Sequence, residues 1–395
     1  MSELRVNDVL AVLLLAALGT GSAEAQEGWY AGDLHAHSLH SDGDSSVADI
    51  LGVAEDRGLD FFALTDHDSS MGGEPNHWYD PTYVSDKLIL LYGIEWTTSI
   101  GHGNMWAAEP FDYRPMWSAN LAQDPWAAAE AAHEAGALFS ANHPTTWICC
   151  PWLMEAGMLD GVEVWNGTHR FPVDYPATRR FWSDLLLSGA RPTAVGGSDT
   201  HDLAYPLGAL FTIGDPTTWV FSAGLEAAQI IEGIGAGRVS VSYDPHGPRV
   251  DVWADGDSDG IFETAMGEDV TYGPVRLRVN LGTESSDRSG VGVEVDIRNA
   301  RGLFNGEVSP SELATLGHLV GEEACGPGYL IGLYHDDRLA RVARLPCDGG
   351  SWEVDMTGNT GDFFRVEVLG LPKVNPIKHP VFGLFVALSN PIYVR

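Results

Sequence analysis

Short apolar runs alternate with amphipathic stretches from about Trp29 to about Tyr243. The runs at Tyr30–His35, Phe61–Thr65, Leu88–Glu95, Gly103–Ala107, Ala137–Asn142, Gly161–Trp165 and Thr193–Ser198 read as strands. Helices are predicted between several of them. Ser45 or Ser46 can cap one that runs to Arg57 and is ended by Gly58. Asp124-Pro125 opens an alanine-rich helix closed by Gly136, and Pro176 starts another stopped by Gly189. Strands and helices in alternation predict a parallel α/β barrel over residues 28–245. After Pro248 the pattern changes. Val275–Leu281, Val291–Ile297, Tyr329–Tyr334, Trp352–Met356, Phe364–Leu369 and Gly383–Ser389 alternate or run apolar between Gly, Asp and Ser turns, which predicts an antiparallel sandwich-like domain over 248–395. With no internal repeat and no low-complexity linker, the two regions are expected to pack closely.

The 395 residues are 44% hydrophobic and 10% aromatic, enough for real cores. A formal charge of −33, spread along the chain, excludes nucleic acid as an expected partner and fits a solvated acidic surface. Val9 to Leu18 is an apolar run preceded by Arg5 and followed by Ala23-Glu24-Ala25, the pattern of an export signal over residues 1–25. No segment is long and apolar enough for a membrane span in the mature chain, so a periplasmic or secreted protein is expected. Cys325 and Cys347 could pair under oxidising conditions, whereas the adjacent Cys149 and Cys150 read as small hydrophobes or thiols.

The chemistry lies where the strands stop. His35 and His37 follow the first strand, and side chains two apart on an extended segment point the same way. Thr65-Asp66-His67-Asp68 follows the second strand, and Glu95 ends the third. His102 opens the next, Asn142-His143 ends the fifth, and Gly196-Gly197-Ser198-Asp199-Thr200-His201 ends the last. Six of the fourteen histidines fall at these places. Barrel active sites gather at such ends, where loops from different strands converge.

The wording "DLHAHS…SDG", "TDHD", "GIEWT…GHGN", "NHP", "VEVWNG" and "GGSDTH" resembles the PHP (polymerase and histidinol phosphatase) superfamily of metal-dependent hydrolases across roughly residues 30–205. It looks closest to the carbaryl-hydrolase-like (CehA/McbA) branch, as does the terminal "SNPIYV". The resemblance implies a distorted seven-stranded barrel with two or three divalent ions. It implies one ion held by His35, His37, Glu95 and Asp199, with Glu95 bridging to a second held by His102 and His143. A third would use Asp42, His67 and His201, with Asp42 standing where some relatives have histidine. Imidazole with carboxylate suits Zn, Mn or Fe. Such ions activate a water for attack on a phosphoryl or carbonyl centre, so an ester-cleaving hydrolase with a small-molecule substrate is expected.

Asp66, Asp68 and His201 are candidates for proton handling or for orienting the ligands, although His201 cannot be both a ligand and a free base. Asn166 and Arg170, just past the "VEVW" strand, are candidates for substrate contact, with Arg179, Arg180 and Arg191 as further cations for a phosphoester. Trp96, Trp106, Trp147, Trp152 and Trp165 flank the same motifs and could instead line an apolar site for an aryl ester or carbamate. Glu163 reads as a buried structural carboxylate. A catalytically inactive, metal-containing binding protein is the reading from a different class. Separately, Asp255, Asp257 and Asp259 have calcium-loop spacing, but Met266 stands where an EF-hand needs glutamate, leaving a calcium loop between strands or a solvated turn.

Overall fold

The computed structural model describes residues 26–145, 157–167, 174–203, 212–282, 290–305, 315, 318–323, 326–370 and 385–395. The expected export signal, Arg170, Trp147, Trp152, Cys149, Cys150 and Cys325 lie outside the described residues.

The strand at Gly28–Asp33 (β1) leads through a helix at Val47–Asp56 (α1) to Phe61–Leu64 (β2). Ser46 caps α1 by accepting from the Asp49 backbone N–H, and Gly58 leaves it at φ 71°. Val47, Ile50, Leu51 and Ala54 are its buried face, at the i, i+3, i+4, i+7 spacing of one helical stripe. Next come Ile89–Thr98 (β3), Gly101–Ala107 (β4), a helix at Arg114–Ala122 (α2), and Pro125–Glu134 (α3), capped by the Asp124 carboxylate. Leu138–Ala141 (β5), Gly161–Asn166 (β6), Asp174–Leu187 (α4) and Thr193–Gly197 (β7) complete the first region.

β1, β2 and β3 pair in parallel, as do β5, β6 and β7. The expectation of an all-parallel set is corrected at β4, which is antiparallel to both β3 and β5. Only Ser99 and Ile100 separate β3 from β4, too few for the crossover a parallel pair needs, so the chain makes a hairpin. Beyond β7, Ala36 bridges Thr200, His37 N–H donates to the Thr200 carbonyl at 3.0 Å, and Asp199 N–H donates to the His35 carbonyl at 2.8 Å. The last strand end is thereby tied to the first.

On its other edge β1 pairs antiparallel with Thr217–Ser222 (β8), which pairs with Val239–Ser242 (β9), which pairs with Phe385–Ser389. The sheet continues through Phe363–Gly370, Tyr329–His335 and Arg338–Leu345, giving an α/β chain with one mixed sheet of sixteen strands among the described residues. A second sheet of four strands contains Arg249–Asp255 (β10), Gly273–Gly282 and Gly350–Gly358. Val250, Val252, Leu277 and Val279 of this sheet share a buried core with Ile331, Leu333, Val366 and Val368 of the large one. This is face-to-face sheet packing of the sandwich kind.

Parts of the pattern in both regions were misread or missed. Val291–Ile297 contributes only the two-residue strand Val293–Glu294, because the Asp296 carboxylate accepts from the Arg298 N–H and starts a helix at Ile297–Phe304. Arg338–Leu345 is a strand that its arginines hid. Thr217–Ser222 and Val239–Ser242 also escaped notice. Cys347 is buried and disulfide-bonded. Arg179 of α4 meets the buried Glu367, which Arg365 also contacts, fastening this helix to Phe363–Gly370. Among the described residues no helix is long and apolar enough to cross a membrane.

Candidate metal centre

One side chain first brings β1 and β7 together. The buried Asp33 carboxylate accepts from His35 N–H at 3.2 Å, Ser198 N–H at 3.0 Å and Gly214 N–H at 2.7 Å, fixing where both strands stop. Leu34 and Ala36 then point into the core while His35 and His37, also buried, point together to the other side. The antiparallel run of β4 explains why His102 begins its strand, whereas Glu95 lies within β3 and the other candidates follow their strands. Its N-terminal end lies beside the C-terminal end of β3, with His102 paired to Thr97.

The side chains gather in three connected groups. His35 Nε2 and His37 Nε2 stand 3.1 Å apart, and Asp199 Oδ1 lies 3.3 Å from the first and 3.1 Å from the second. Glu95 Oε1 lies 3.4 Å from His35 Nε2, 3.3 Å from His102 Nδ1 and 3.4 Å from His143 Nε2. Asp42 Oδ1 lies 3.4 Å from His67 Nε2 and 3.3 Å from His201 Nε2. Glu95 Oε2 meets His67 Nδ1 at 2.6 Å, joining the second group to the third. All nine candidate ligands, His35, His37, Asp42, His67, Glu95, His102, His143, Asp199 and His201, therefore converge.

The donor set fits divalent cations. Ligand atoms at about 2.0–2.2 Å from one tetrahedral ion stand about 3.3–3.6 Å apart, close to the spacings here. His35 Nε2 and His37 Nε2, 3.1 Å apart, both face Asp199 Oδ1, an arrangement that one cation among them would satisfy. Glu95 Oε2, with His67 Nδ1 at 2.6 Å, and His102 Nδ1, with Glu95 Oε1 at 3.3 Å, are buried and make no well-formed hydrogen bond. A buried carboxylate left so would be costly unless a positive charge completes it.

Neighbouring groups aim the ligands. His201 Nδ1 donates to the Asp199 carbonyl at 2.9 Å, leaving Nε2 toward Asp42. His67 Nδ1 is also 2.6 Å from Thr97 Oγ1, and Asn142 Nδ2 donates to Glu95 Oε1 at 2.8 Å. Burial pulls the His35 imidazole down, but Asp199, Glu163 and Glu95 outweigh it and hold its pKa well above the ordinary range. Burial dominates at His37 and takes it to about 4. Burial pushes Glu95 and Asp199 up, yet the surrounding histidines hold both carboxyls well below the ordinary range. Asp42 is the most exposed of the set, with its side chain 54% accessible.

Other expectations fare differently. Asp66 accepts from Ser38 N–H at 2.7 Å, Ser38 Oγ–H at 2.6 Å and Ser41 Oγ–H. Asp68 accepts from Thr97 N–H at 2.9 Å, Tyr113 O–H at 2.8 Å and Asn120 Nδ2 at 2.7 Å, and burial lifts it to about 6. Both carboxylates brace loops beside His67. Asn166, expected to contact substrate, directs its amide to Glu163 Oε2 at 2.9 Å and Asp199 Oδ2 at 3.1 Å. Arg179 and Arg191 are held elsewhere, by Glu367 and Asp269, and Arg180 is exposed. Trp96 and Trp106 are fully buried in the core rather than lining a pocket. Asp255, Asp257 and Asp259 do come together, but the oxygens of Asp255 accept from Ser258 and Gly260 N–H of their own loop.

The sequence undervalued Glu163, which is 2% exposed and touches His35, His143 and Asn166. A bulge between Glu163 and Trp165 brings Asn166, three residues on, beside it, which period-two spacing does not signal. His335, Asp336 and Asp362 also cluster without having been anticipated. There His335 Nε2 is 2.8 Å from Asp362, which also accepts from Asn359.

No family model matches this chain. It is similar to a probable phosphatase of Shewanella frigidimarina, 34% identical over 79 residues that make up 18% of this chain and 32% of the relative. Probable phosphatases of Shewanella loihica and Shewanella sediminis are 42% identical over 69 residues and 41% over 72, covering 28% and 29% of their lengths. The chain thus spans about a third of the length of the curated relatives it matches. Among solved structures, a two-domain protein from Bacteroides vulgatus containing a predicted PHP-like metal-dependent phosphoesterase aligns over 92% of this chain and 95% of its own, with TM-score 0.41 and 18% identity. An amidohydrolase from Chromobacterium violaceum aligns over 44% of this chain and 88% of its own, with TM-score 0.32 and 17% identity.

Proposed function

We propose that this chain is an exported, PHP-type metal-dependent hydrolase that cleaves an ester bond, most simply a phosphoester. The observation that carries the reading is the facing pair His35 Nε2 and His37 Nε2, 3.1 Å apart and joined by Asp199 and Glu95 in a buried site. In this reading residues 28–245 form a distorted seven-stranded barrel tied shut by the Ala36–Thr200 bridge, and 248–395 form a sandwich packed on it. His35, His37, Glu95 and Asp199 would hold one ion, Glu95, His102 and His143 a second, and Asp42, His67 and His201 a third.

A pair of divalent ions in such a site lowers the pKa of a shared water and stabilises charge developing on the ester oxygens. The chain supplies the rest. Glu95 spans two groups through both carboxylate oxygens, so it fixes their separation. Asn166 and Asn142 restrain the carboxylates of Asp199 and Glu95. His201, with Nδ1 bound to the Asp199 carbonyl, acts as a ligand rather than a free base.

The phosphoester is favoured over an aryl ester or carbamate on two grounds. The curated relatives are called probable phosphatases. The burial of Trp96 and Trp106 also removes two of the aromatic walls that an aryl group would have used. The test is hydrolysis of a panel of phosphomonoesters, phosphodiesters, aryl esters and carbamates by protein reconstituted with Zn, Mn or Fe. Chelator-sensitive release of phosphate is expected. Metal-loaded protein that cleaves no member of the panel would instead favour a binding protein.

A further inference from the structure

Glu163 lies outside the three ligand groups, yet it reaches residues of all the strand ends that surround the first of them. Its Oε1 is 2.8 Å from His35 Nδ1. Its Oε2 accepts from the backbone N–H of His143 at 2.8 Å and from Asn166 Nδ2 at 2.9 Å. Asn166 Nδ2 also donates to Asp199 Oδ2 at 3.1 Å. One carboxylate on β6 therefore braces His35 after β1, His143 after β5 and Asp199 after β7.

The surroundings leave room for this contact and demand something to hold it. A Cβ placed on Gly197 would lie 2.4 Å from His35 Cβ and 2.6 Å from Glu163 Oε1, so the bare glycine is what admits the pair. His143 and Asp199 adopt φ 29° and 52°, in the left-handed region that residues with side chains seldom occupy. Such conformations persist where neighbouring contacts over-determine them. Glu163 supplies one of those contacts directly, through the His143 N–H.

We infer that Glu163 is a positioning residue that sets the tautomer of His35 and locks three ligands into one geometry. Oε2 faces a backbone N–H and an amide N–H, so an acceptor must stand there. Oε1 is likewise an acceptor, so His35 carries its proton on Nδ1 and offers the Nε2 lone pair toward His37, Glu95 and Asp199. In Glu163→Gln the amide oxygen must take the Oε2 place, which turns the NH2 toward His35 Nδ1. His35 then accepts at Nδ1, carries its proton on Nε2 and can no longer ligate there. The substitution is nearly isosteric and changes no ligand.

The inference rests on the reading of this site as a metal centre, and the test separates the two. Zinc affinity is measured by competition with a chromogenic chelator for the wild-type and Glu163→Gln proteins, with the melting temperature of each metal-free protein alongside. The expected result is a loss of zinc affinity of roughly 10–100-fold with little change in metal-free melting. Wild-type protein that binds no zinc overturns the metal-centre reading itself. Wild-type protein that binds zinc, with Glu163→Gln protein binding it equally well, overturns the role of Glu163 alone. If Glu163→Gln protein does not fold, Asn166→Ala, which removes the donor shared by Glu163 and Asp199, serves instead. A several-fold loss of affinity is expected there, and unchanged affinity overturns the coupling.

Discussion

His143 and Asp199 carry their candidate ligand atoms on backbone held at φ 29° and 52°. Such conformations cost about 1–3 kcal/mol each and are kept where neighbouring contacts fix them. The individual ligands should not contribute equally. Glu95 has an oxygen in each of two groups and is fully buried, whereas Asp42 serves one group and is half-exposed. Glu95→Ala is expected to remove two ions per chain, and Asp42→Ala one, as counted by elemental analysis of reconstituted protein. Equal losses would refute the bridging role. The convergence of this set was legible in the sequence, because most of its members abut Gly, Ser, Asp, Asn or Pro, whereas His35 and Glu95 sit between apolar neighbours. Glu163 was not, since a carboxylate inside "VEVW" looks the same whether it braces a ligand or a core. Asp66 and Asp68 were legible in part. Their neighbourhood to His67 is plain in sequence, but the serine, tyrosine and asparagine donors that occupy them come from other segments.

At the level of elements, β-strands were easier to find than their directions. The seven strands of the first region were placed to within a few residues, yet their parallel reading failed at the β3–β4 hairpin, where the two-residue connection carried the decisive signal. Arg338–Leu345 was missed because arginine recurs every third residue, at 338, 341 and 344, which breaks the period-two pattern of a strand. Contacts between distant elements were not legible at all, and the pair formed by α4 and Phe363–Gly370 is the clearest case. Burial pushes the Glu367 carboxyl up, but Arg179 and Arg365 overcome it and hold it below its ordinary value near 4.5. A carboxylate depressed in the folded state contributes stability that is complete above the unfolded value and is lost as pH falls through the folded one. Glu367→Gln should therefore destabilise the chain by about 3–5 kcal/mol at neutral pH, by leaving Arg365 buried without its partner. It should also flatten the fall in stability below about pH 4.5 that denaturant melts of the wild type show. A variant with unchanged neutral stability and the same acid slope would show that the clamp is idle.

For the molecule as a whole, metal binding and protonation are linked. Burial pulls His67 down, but Glu95 and Asp42 outweigh it and hold the metal-free imidazole at about 10, and His35, His143 and His201 are raised too. The metal-free chain thus holds protons at neutral pH that a metal must displace. Affinity should rise with pH by about tenfold per unit for each proton displaced. Calorimetry in buffers of different ionisation enthalpy should record net proton release. Binding heats that do not depend on the buffer would contradict this. The acidic charge of −33 works in the same direction, drawing cations toward the surface.

The central claim is that the strand-end histidines and carboxylates form a centre for divalent ions. Elemental analysis of the purified, folded chain, reconstituted with Zn, Mn or Fe and washed free of loose metal, tests it most directly. The account predicts two or three ions per chain, removed together with melting stability by a strong chelator. A folded chain that retains no ion after washing, and melts identically with and without chelator, would contradict it.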